Sequence, residues 1–483
     1  MNELAMRLRA DPSFGAGPRS RPILEPGRNC WRIPVADRAA VLIDGAAYFQ
    51  ALDSALRRAR RSVLILGWDF DGRIRLRGDE EAEGSDMLGP LLRRLVEENS
   101  DLVVRILVWV GALVHPRPTR RQLLLHDGWM DHPRIRVKLA PGRPIYAAQH
   151  QKVVCIDGRL AFVGGIDLTV QRWDTGKHIP DDPRRTDPDG KTYPPIHDVQ
   201  MAVDGEAAEA LTELAAEHWR AETGEAFESL TSGEDPWPLS LAPLFRRCPV
   251  AISRGSAWAR LRPTEVAALT TDAIRAAKST IYIESQYMTG ATIGDRLVER
   301  LQEPNGPEIV VVMAFQARSL IEHLTMGTNR DRLIRRLSKA DRFGRLRIYY
   351  PCIPGDGHID RVFVHSKLMI VDDRFLRIGS SNLNNRSMGL DLECDLALEA
   401  QDGVTRRTIA GLRSRLVAEH LCCDPRQVHM AVAQAQSLIG AIERLNQAPR
   451  TMRAFDAMSG EGPSRPAPGT RLFDPYGPFT GVF

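Results

Sequence analysis

Phe363–Asp395 reads FVHSKLMIVDDRFLRIGSSNLNNRSMGLDLECD, and the rest of the chain is organised around it. Within it His365, Lys367 and Asp372 precede the small run Gly379-Ser380-Ser381-Asn382. The same constellation stands earlier in the chain, as His150, Lys152 and Asp157 ahead of Gly164-Gly165-Ile166-Asp167. His150 to Gly164 and His365 to Gly379 span one and the same interval. The chain carries seven lysines against 58 arginines, and two of the seven occupy this slot. A lone His in an apolar strand is usually a satisfied core residue, and a lone Lys a solvated one. Repetition in register of the whole pattern sets these apart.

The duplication extends beyond the motifs. Ser54–Arg60 followed by Ser62–Leu66 is echoed by Asp272–Lys278 and Thr280–Glu284, Leu102–Val110 by Ile309–Phe315, and Arg134–Val137 by Arg345–Ile348. Ala216-Glu217-His218 returns as Ala418-Glu419-His420. Helical periodicity alternating with short apolar runs predicts an α/β fold, built as two tandem, pseudo-symmetric halves. The expected division is an irregular arm over 1–40, a first half over 41–235, a linker over 236–255, a second half over 256–445 and a Pro/Gly-rich tail over 446–483. Trp173–Ile196 is polar and proline-rich, a long loop of the kind that is usually functional or disordered.

Composition narrows the class. With 483 residues, 43% hydrophobic and 26% charged, the chain is of soluble globular type and long enough for two or three domains. A net charge of +4 suits an anionic substrate or surface but falls short of a nucleic-acid footprint, so no nucleic-acid partner is expected. Seven scattered cysteines form neither a CxxC pair nor a metal-ligand spacing, which favours a reduced, cytoplasmic setting and no metal or other cofactor. Neither a secretory signal nor a bilayer-spanning run is visible, so any substrate held in a membrane would have to be reached from the water side.

A neutral imidazole is a nucleophile near pH 7 and a protonated one an acid. Two histidines brought together can divide those roles over one reacting centre. Along a strand, Lys152 and Lys367 face the same side as their histidines, which puts two ammonium groups on an anion between the halves. Gly164, Gly165 and Ser380 offer backbone N–H groups without bulk, and Asn382 adds a neutral donor. Such a set suits the charge that builds on phosphoryl oxygens during displacement. Asp157 and Asp372 stand where a strand turns, and are either reactants or turn residues.

The two segments resemble the paired HKD motifs of the phospholipase D superfamily. FVGGIDLTVQRWDT (Phe162–Thr175), IHDVQMAV (Ile196–Val203), IYIESQYMT (Ile281–Thr289) and IGSSNLNNRS (Ile378–Ser387) are similar to the eukaryotic-type, phosphatidylcholine-cleaving members, over roughly residues 40–425. The resemblance implies a bilobal fold with both motifs in one cleft, and a monomer that suffices for catalysis. It implies a catalytic core without the amino-terminal lipid- or calcium-binding domains of plant and animal members. It further implies hydrolysis or alcoholysis of glycerophospholipids through a phosphohistidine, without a metal, with water or an alcohol as acceptor. His150 would attack phosphorus, and His365 would serve the leaving and entering alcohols. Lys152, Lys367 and Asn382 would hold the phosphate, with Gln286 in the lining. Asp198 is the expected carboxylate behind the first-half His, and Glu393 or Asp395 behind the second. Asp167, an acid where the other copy has Asn382, is expected to turn away or pair with a base such as Arg172. The competing readings are a cardiolipin synthase-like phosphatidyltransferase, a superfamily nuclease and a catalytically silent lipid-binding module.

Overall fold

The computed structural model describes residues 21–77, 87–109, 128–141, 147–227, 233–255, 264–315, 326–355, 357, 359–447, 450–467 and 474–475. The first part of the arm, the end of the strand expected to reach Val110 and most of the last sixteen residues lie outside them.

In the first half the strands are β1 (Val35–Ile43), β2 (Ser62–Gly67), β3 (Val103–Trp109), β4 (Ile135–Ala140), β5 (Val153–Ile156), β6 (Leu160–Gly164), β7 (Ile196–His197), β8 (Val199–Asp204) and β9 (Phe245–Pro249). The helices are α1 (Gly45–Leu56), α2 (Leu88–Glu98) and α3 (Gly205–Thr223). The second half follows with β10 (Ala251–Gly255), β11 (Thr280–Ser285), β12 (Glu308–Met313), β13 (Leu346–Pro354), β14 (Ile359–Arg361), β15 (Phe363–Val364), β16 (Lys367–Val371), β17 (Phe375–Gly379), β18 (Glu393–Glu399) and β19 (Thr451–Ala454). Its helices are α4 (Glu265–Ala276), α5 (Ala291–Gln302), α6 (Thr328–Ala340), α7 (Asn385–Gly389), α8 (Gly403–Leu421), α9 (Pro425–Ala435) and α10 (Leu438–Leu445).

One sheet runs β4-β3-β2-β5-β6-β8-β1-β9 and the other β10-β18-β17-β16-β11-β12-β13-β14, with β19 on β13. Read from the β4 and β13 ends, the two orders superimpose strand for strand as far as β1 and β10. This moves two expected boundaries. Each half starts earlier than expected: β1 begins inside the arm, and β9 and β10 fill the second part of the linker. Nor is the segment from 446 onward without packing, since β19 joins the second sheet and Phe455 is buried in its core.

Strand alternation decides which side chains meet at the middle. In β2, Val63 and Ile65 face a core shared with α1 and α2, whereas Leu64 and Leu66 face the opposite half. In β16, Met369 and Val371 face a core shared with α4 to α6, and Leu368 and Ile370 face inward. The central cluster therefore contains strands of both sheets, closed by buried faces of α3 (Leu211, Leu214, Trp219) and α8 (Ile409, Leu412, Leu416). Asp402 caps α8 by accepting from Thr405 N at 2.7 Å, and Cys422 ends it at φ 52°. All seven cysteines are free. Among the described residues no helix is long and apolar enough to cross a membrane.

Candidate active site

Both motif hairpins are built alike. β5 turns into β6 through Asp157 and Gly158 at φ 54° and 62°, and β16 into β17 through Asp372 and Asp373 at φ 53° and 50°. Positive φ at both central residues is the two-residue turn that matches strand twist. The Asp157 carboxylate accepts from the backbone N–H of Arg60, Arg61 and Ser62 at 2.8–2.9 Å. Asp372 accepts from Lys278, Ser279 and Thr280 at 2.7–2.9 Å. Of the two alternatives for these aspartates, the structure selects the turn residue. Each carboxylate clamps its hairpin to the start of β2 or β11, and neither joins the histidines.

The imidazoles are held by carboxylates from the opposite half. His150 Nδ1 lies 3.0 Å from Glu393, and His365 Nδ1 lies 2.6 Å from Asp198. The expected pairing within each half is thereby corrected: Asp198 backs His365, and Glu393 backs His150. Backbone registers cause the exchange. His365 N–H donates to His197 O at 2.7 Å, and His150 N–H donates to Leu392 O at 2.9 Å. Each acceptor is the residue just before the carboxylate. A parallel ladder between β7 and β15 extends the first of these contacts. Asp395, the other candidate behind His365, instead faces Arg377 at 3.3 Å and accepts from Ser381 N–H at 3.1 Å.

The small runs do something other than expected. Their backbone N–H groups are spent inside the fold: Gly165 donates to Val199 O, Ser380 to Cys394 O and Ser381 to Asp395. What Gly165 supplies is room, because a Cβ there would lie 2.1 Å from Asp198 Oδ1. Gly164 leaves room in the same way for Val199 O and Gln200, at 2.4 Å. The Ser380 hydroxyl donates to Glu393 at 2.5 Å, so it positions the carboxylate behind His150.

Lys152 Nζ donates to His150 O at 2.6 Å and faces Asp167 at 3.2 Å, so Asp167 does pair with a base, Lys152. Asp167 also accepts from Trp68 N–H at 2.9 Å. Lys367 Nζ donates to His365 O and, at 3.2 Å, to Gln286 Oε1. Asn382 is buried, and its Oδ1 has no hydrogen-bond partner among the described residues.

Burial and two ammonium groups shape the electrostatics. Desolvation, then Lys152 and Lys367, hold the His150 ring well below the ordinary imidazole range. Burial drives Glu393 up to about 7, against the pull of Ser380 and both lysines. Burial brings Lys367 down to about 7, with Lys152 adding to the effect and Asp198 opposing it. These mutual influences bring the two dyads, both lysines and both carboxylates into one centre at the contact of the halves.

Behind the His365 side lies a buried network absent from the sequence reading. His197 sits between Glu419 at 2.7 Å and Glu284 at 2.9 Å, and His420 Nε2 lies 3.1 Å from Glu284. Ser366 donates to Glu284 at 2.8 Å. The repeated Ala-Glu-His of α3 and α8 was the signal that pointed to it. The polar loop after Trp173 contributes His178 and Asp174 to this network. Loop residues Trp173, Arg184 and Tyr193 also line a cavity of about 840 Å³ with Arg73, Arg77 and Arg172.

Comparison with known proteins agrees with this architecture. The family model described as "Cardiolipin synthase, PLD-like domain" matches residues 270–409. Phospholipase D1 of Saccharomyces cerevisiae is 26% identical over 485 residues, covering 79% of this chain and 29% of the yeast protein. Phospholipase D A of Dictyostelium discoideum is 25% identical over 474 residues, covering 82% of this chain and 37% of that one. The chain thus spans about a third of the length of these relatives. A crystal structure of phosphatidylserine synthase from Haemophilus influenzae has the same fold, with a TM-score of 0.56 at 14% identity over 84% of this chain and 95% of that one. With its duplicated sheets and two His-Lys motifs meeting at one centre, the chain is similar to the phospholipases D, eukaryotic members among them.

Proposed function

We propose that the chain is a phospholipase D-type phosphodiesterase that removes the head group of glycerophospholipids and leaves phosphatidic acid. The observation that carries this is the crossed pair of carboxylate-held histidines around two buried lysines. An Nδ1–H donated to a carboxylate leaves Nε2 with its lone pair free to attack or to receive a proton. His150, kept neutral by its surroundings, attacks phosphorus through Nε2, and the bond to the head-group oxygen breaks. His365, on the shorter 2.6 Å contact with Asp198, delivers the proton to that oxygen. It then takes a proton from an entering water or alcohol, whose oxygen displaces His150 from phosphorus. Lys152 and Lys367 hold the phosphoryl oxygens, and Asn382 adds a neutral donor. Water as acceptor gives hydrolysis; an alcohol gives transphosphatidylation.

The same chemistry with phosphatidylglycerol as acceptor would form cardiolipin, and the description of the matching family model supports keeping that second reading. The substrate is met at a membrane surface by a peripheral, cytoplasmic monomer, since the two halves of one chain already carry both dyads.

The test is a panel of phosphatidylcholine, -ethanolamine, -serine and -glycerol vesicles with products weighed by mass spectrometry, with and without ethanol. Phosphatidic acid in water and phosphatidylethanol in ethanol are expected. Cardiolipin from phosphatidylglycerol alone would favour the second reading, and cleavage of a nucleic-acid control with no lipid product would overturn both. Denatured, acid-labile phosphate on His150, accumulating in His365→Ala, identifies the nucleophile; label on His365 reverses the assignment.

A further inference from the structure

Asp44, His178 and His197 come from the first half and Glu419 from α8 of the second, and one nitrogen or oxygen of each lies within 4.8 Å of the others. All but Glu419 are at most 1% exposed. His197 Nδ1 is 2.7 Å from Glu419 Oε1 and 3.1 Å from Asp44 Oδ1. His178 Nε2 is 3.3 Å from Glu419 Oε1 and 3.9 Å from Asp44 Oδ2. These separations straddle the edge of about 3.3 Å expected for a tetrahedron of roughly 2.0–2.1 Å bonds.

The far nitrogens of both rings are already engaged by carboxylates. His178 Nδ1 faces Asp174 at 2.9 Å, and His197 Nε2 faces Glu284 at 2.9 Å. A neutral imidazole has one N–H. With that N–H given to Asp174 or Glu284, each ring is left aiming a lone pair at two anions. A carboxylate on the remote nitrogen and a lone pair on the near one is how metal-ligating histidines are held. Asp44 Oδ2 makes no hydrogen bond among the described residues, and His178 Nε2 has only the long 3.3 Å contact with Glu419. Room is kept as well, since a Cβ on Gly176 would lie 2.9 Å from Glu419 Oε2 and 3.5 Å from Asp44 Oδ2. Asp44 itself stands at φ 67°, ψ 159°, a region nearly reserved for glycine, so its side chain is kept against a backbone cost.

We propose that Asp44, His178, His197 and Glu419 bind one divalent transition-metal cation, of which Zn²⁺ is the type. Two imidazole nitrogens and two carboxylates form a donor set suited to it. The ion fastens α8 to the first half and fixes His197, the residue before Asp198. Its role is structural; the phosphoryl transfer does not pass through it.

The test uses the full chain, freed of any affinity tag and purified from cells grown with added zinc. Metal content is measured by plasma mass spectrometry after dialysis, alongside His178→Ala, Asp44→Asn and the exposed-surface control His429→Ala. About one zinc per wild-type and control chain is expected, with less than roughly a tenth of that in the two variants. Removal by a strong chelator should lower Tm, and Zn²⁺ but not Ca²⁺ should restore it. Since the wild type reports by itself, the result does not depend on the variants folding. Wild-type protein without retained metal would mean that two protonated imidazoles balance the carboxylates, and would overturn the proposal. So would zinc retained equally by both variants, or Tm recovery with Ca²⁺ as good as with Zn²⁺.

Discussion

His365 Nδ1 lies 2.6 Å from Oδ2 of Asp198, a carboxylate that belongs to the other half of the chain. His150 reaches across in the opposite sense to Glu393. Exchanged in this way, the carboxylates sort the two proton functions by partner, and that can be read kinetically. Asp198→Asn should lower turnover on phosphatidylcholine by on the order of 10²–10⁴, as should Glu393→Gln, because each breaks the tautomer of its ring. With a head group that leaves as an activated phenolate, Asp198→Asn should recover most of the rate of its first step, read as a burst of phenolate, since no proton is then needed on the leaving oxygen. Glu393→Gln should not recover. The reverse pattern of rescue would restore pairing within each half.

The second expectation concerns pH. Glu393 ionises at about 7, and its ionised form is what leaves His150 Nε2 unprotonated. The acid limb of the pH–rate profile should therefore lie near 7, above the point set by an ordinary imidazole. Initial rates from pH 5 to 9 on neutral vesicles would reveal it, and a limb near 5 would remove Glu393 from that role.

Stability should carry the same signature with a definite sign. Burial raises the Glu393 carboxyl from 4.5 to about 7, so the folded chain keeps a proton that the unfolded chain releases. That contribution is complete below about pH 4.5 and is lost as pH rises through 7, a change on the order of 3 kcal/mol. Urea unfolding at pH 5 and pH 8 should show this loss in the wild type and its absence in Glu393→Gln.

Asp157→Ala should act on folding alone. It strips acceptors from three backbone N–H groups, one of them on buried Ser62, and should destabilise by about 2–4 kcal/mol. Asp372→Ala should cost less, because Lys278 and Ser279 are exposed to water. Turnover per folded molecule should stay within about threefold of wild type in both, measured beside denaturant midpoints. A loss of turnover at full folding would return these aspartates to the chemistry.

Gly165→Ala is expected to imitate Asp198→Asn. Its Cβ would meet Asp198 Oδ1 at 2.1 Å and push the carboxylate off His365. Folding and lipid binding should persist while turnover falls, with the same recovery on an activated leaving group.

Much of this was legible in the sequence where physics acts locally or repeats. The hairpins were marked by Asp157-Gly158 between apolar runs, and the duplication by equal spacing on both sides. Glu393 and Asp395 were both visible as candidates, but the sequence left the choice between them open and set them behind His365 rather than His150. Three things were hidden. The crossing of carboxylates depends on β7 lying beside β15, and that is a contact between segments with no local code. The first strands, VADRAAVLI and AISRG, are split by charges and neighboured by proline, so they read as arm and linker until the sheets pair them. Asp44, His178, His197 and Glu419 lie too far apart in the chain to form any spacing, and only the repeated Glu-His of the two long helices hinted at them.

The short ladder of β7 on β15, with its twin at His150 and Leu392, has a further consequence. Parting the lobes is the simplest way for a two-lobed protein to admit a substrate. Here parting them would withdraw the carboxylate from both rings at once. On the proposed function, a lipid substrate would therefore have to reach the centre while the lobes stay shut. The copies are likewise bound to a common fate in evolution: neither half can decay into a passive scaffold, because the acid that arms each histidine is encoded in the other.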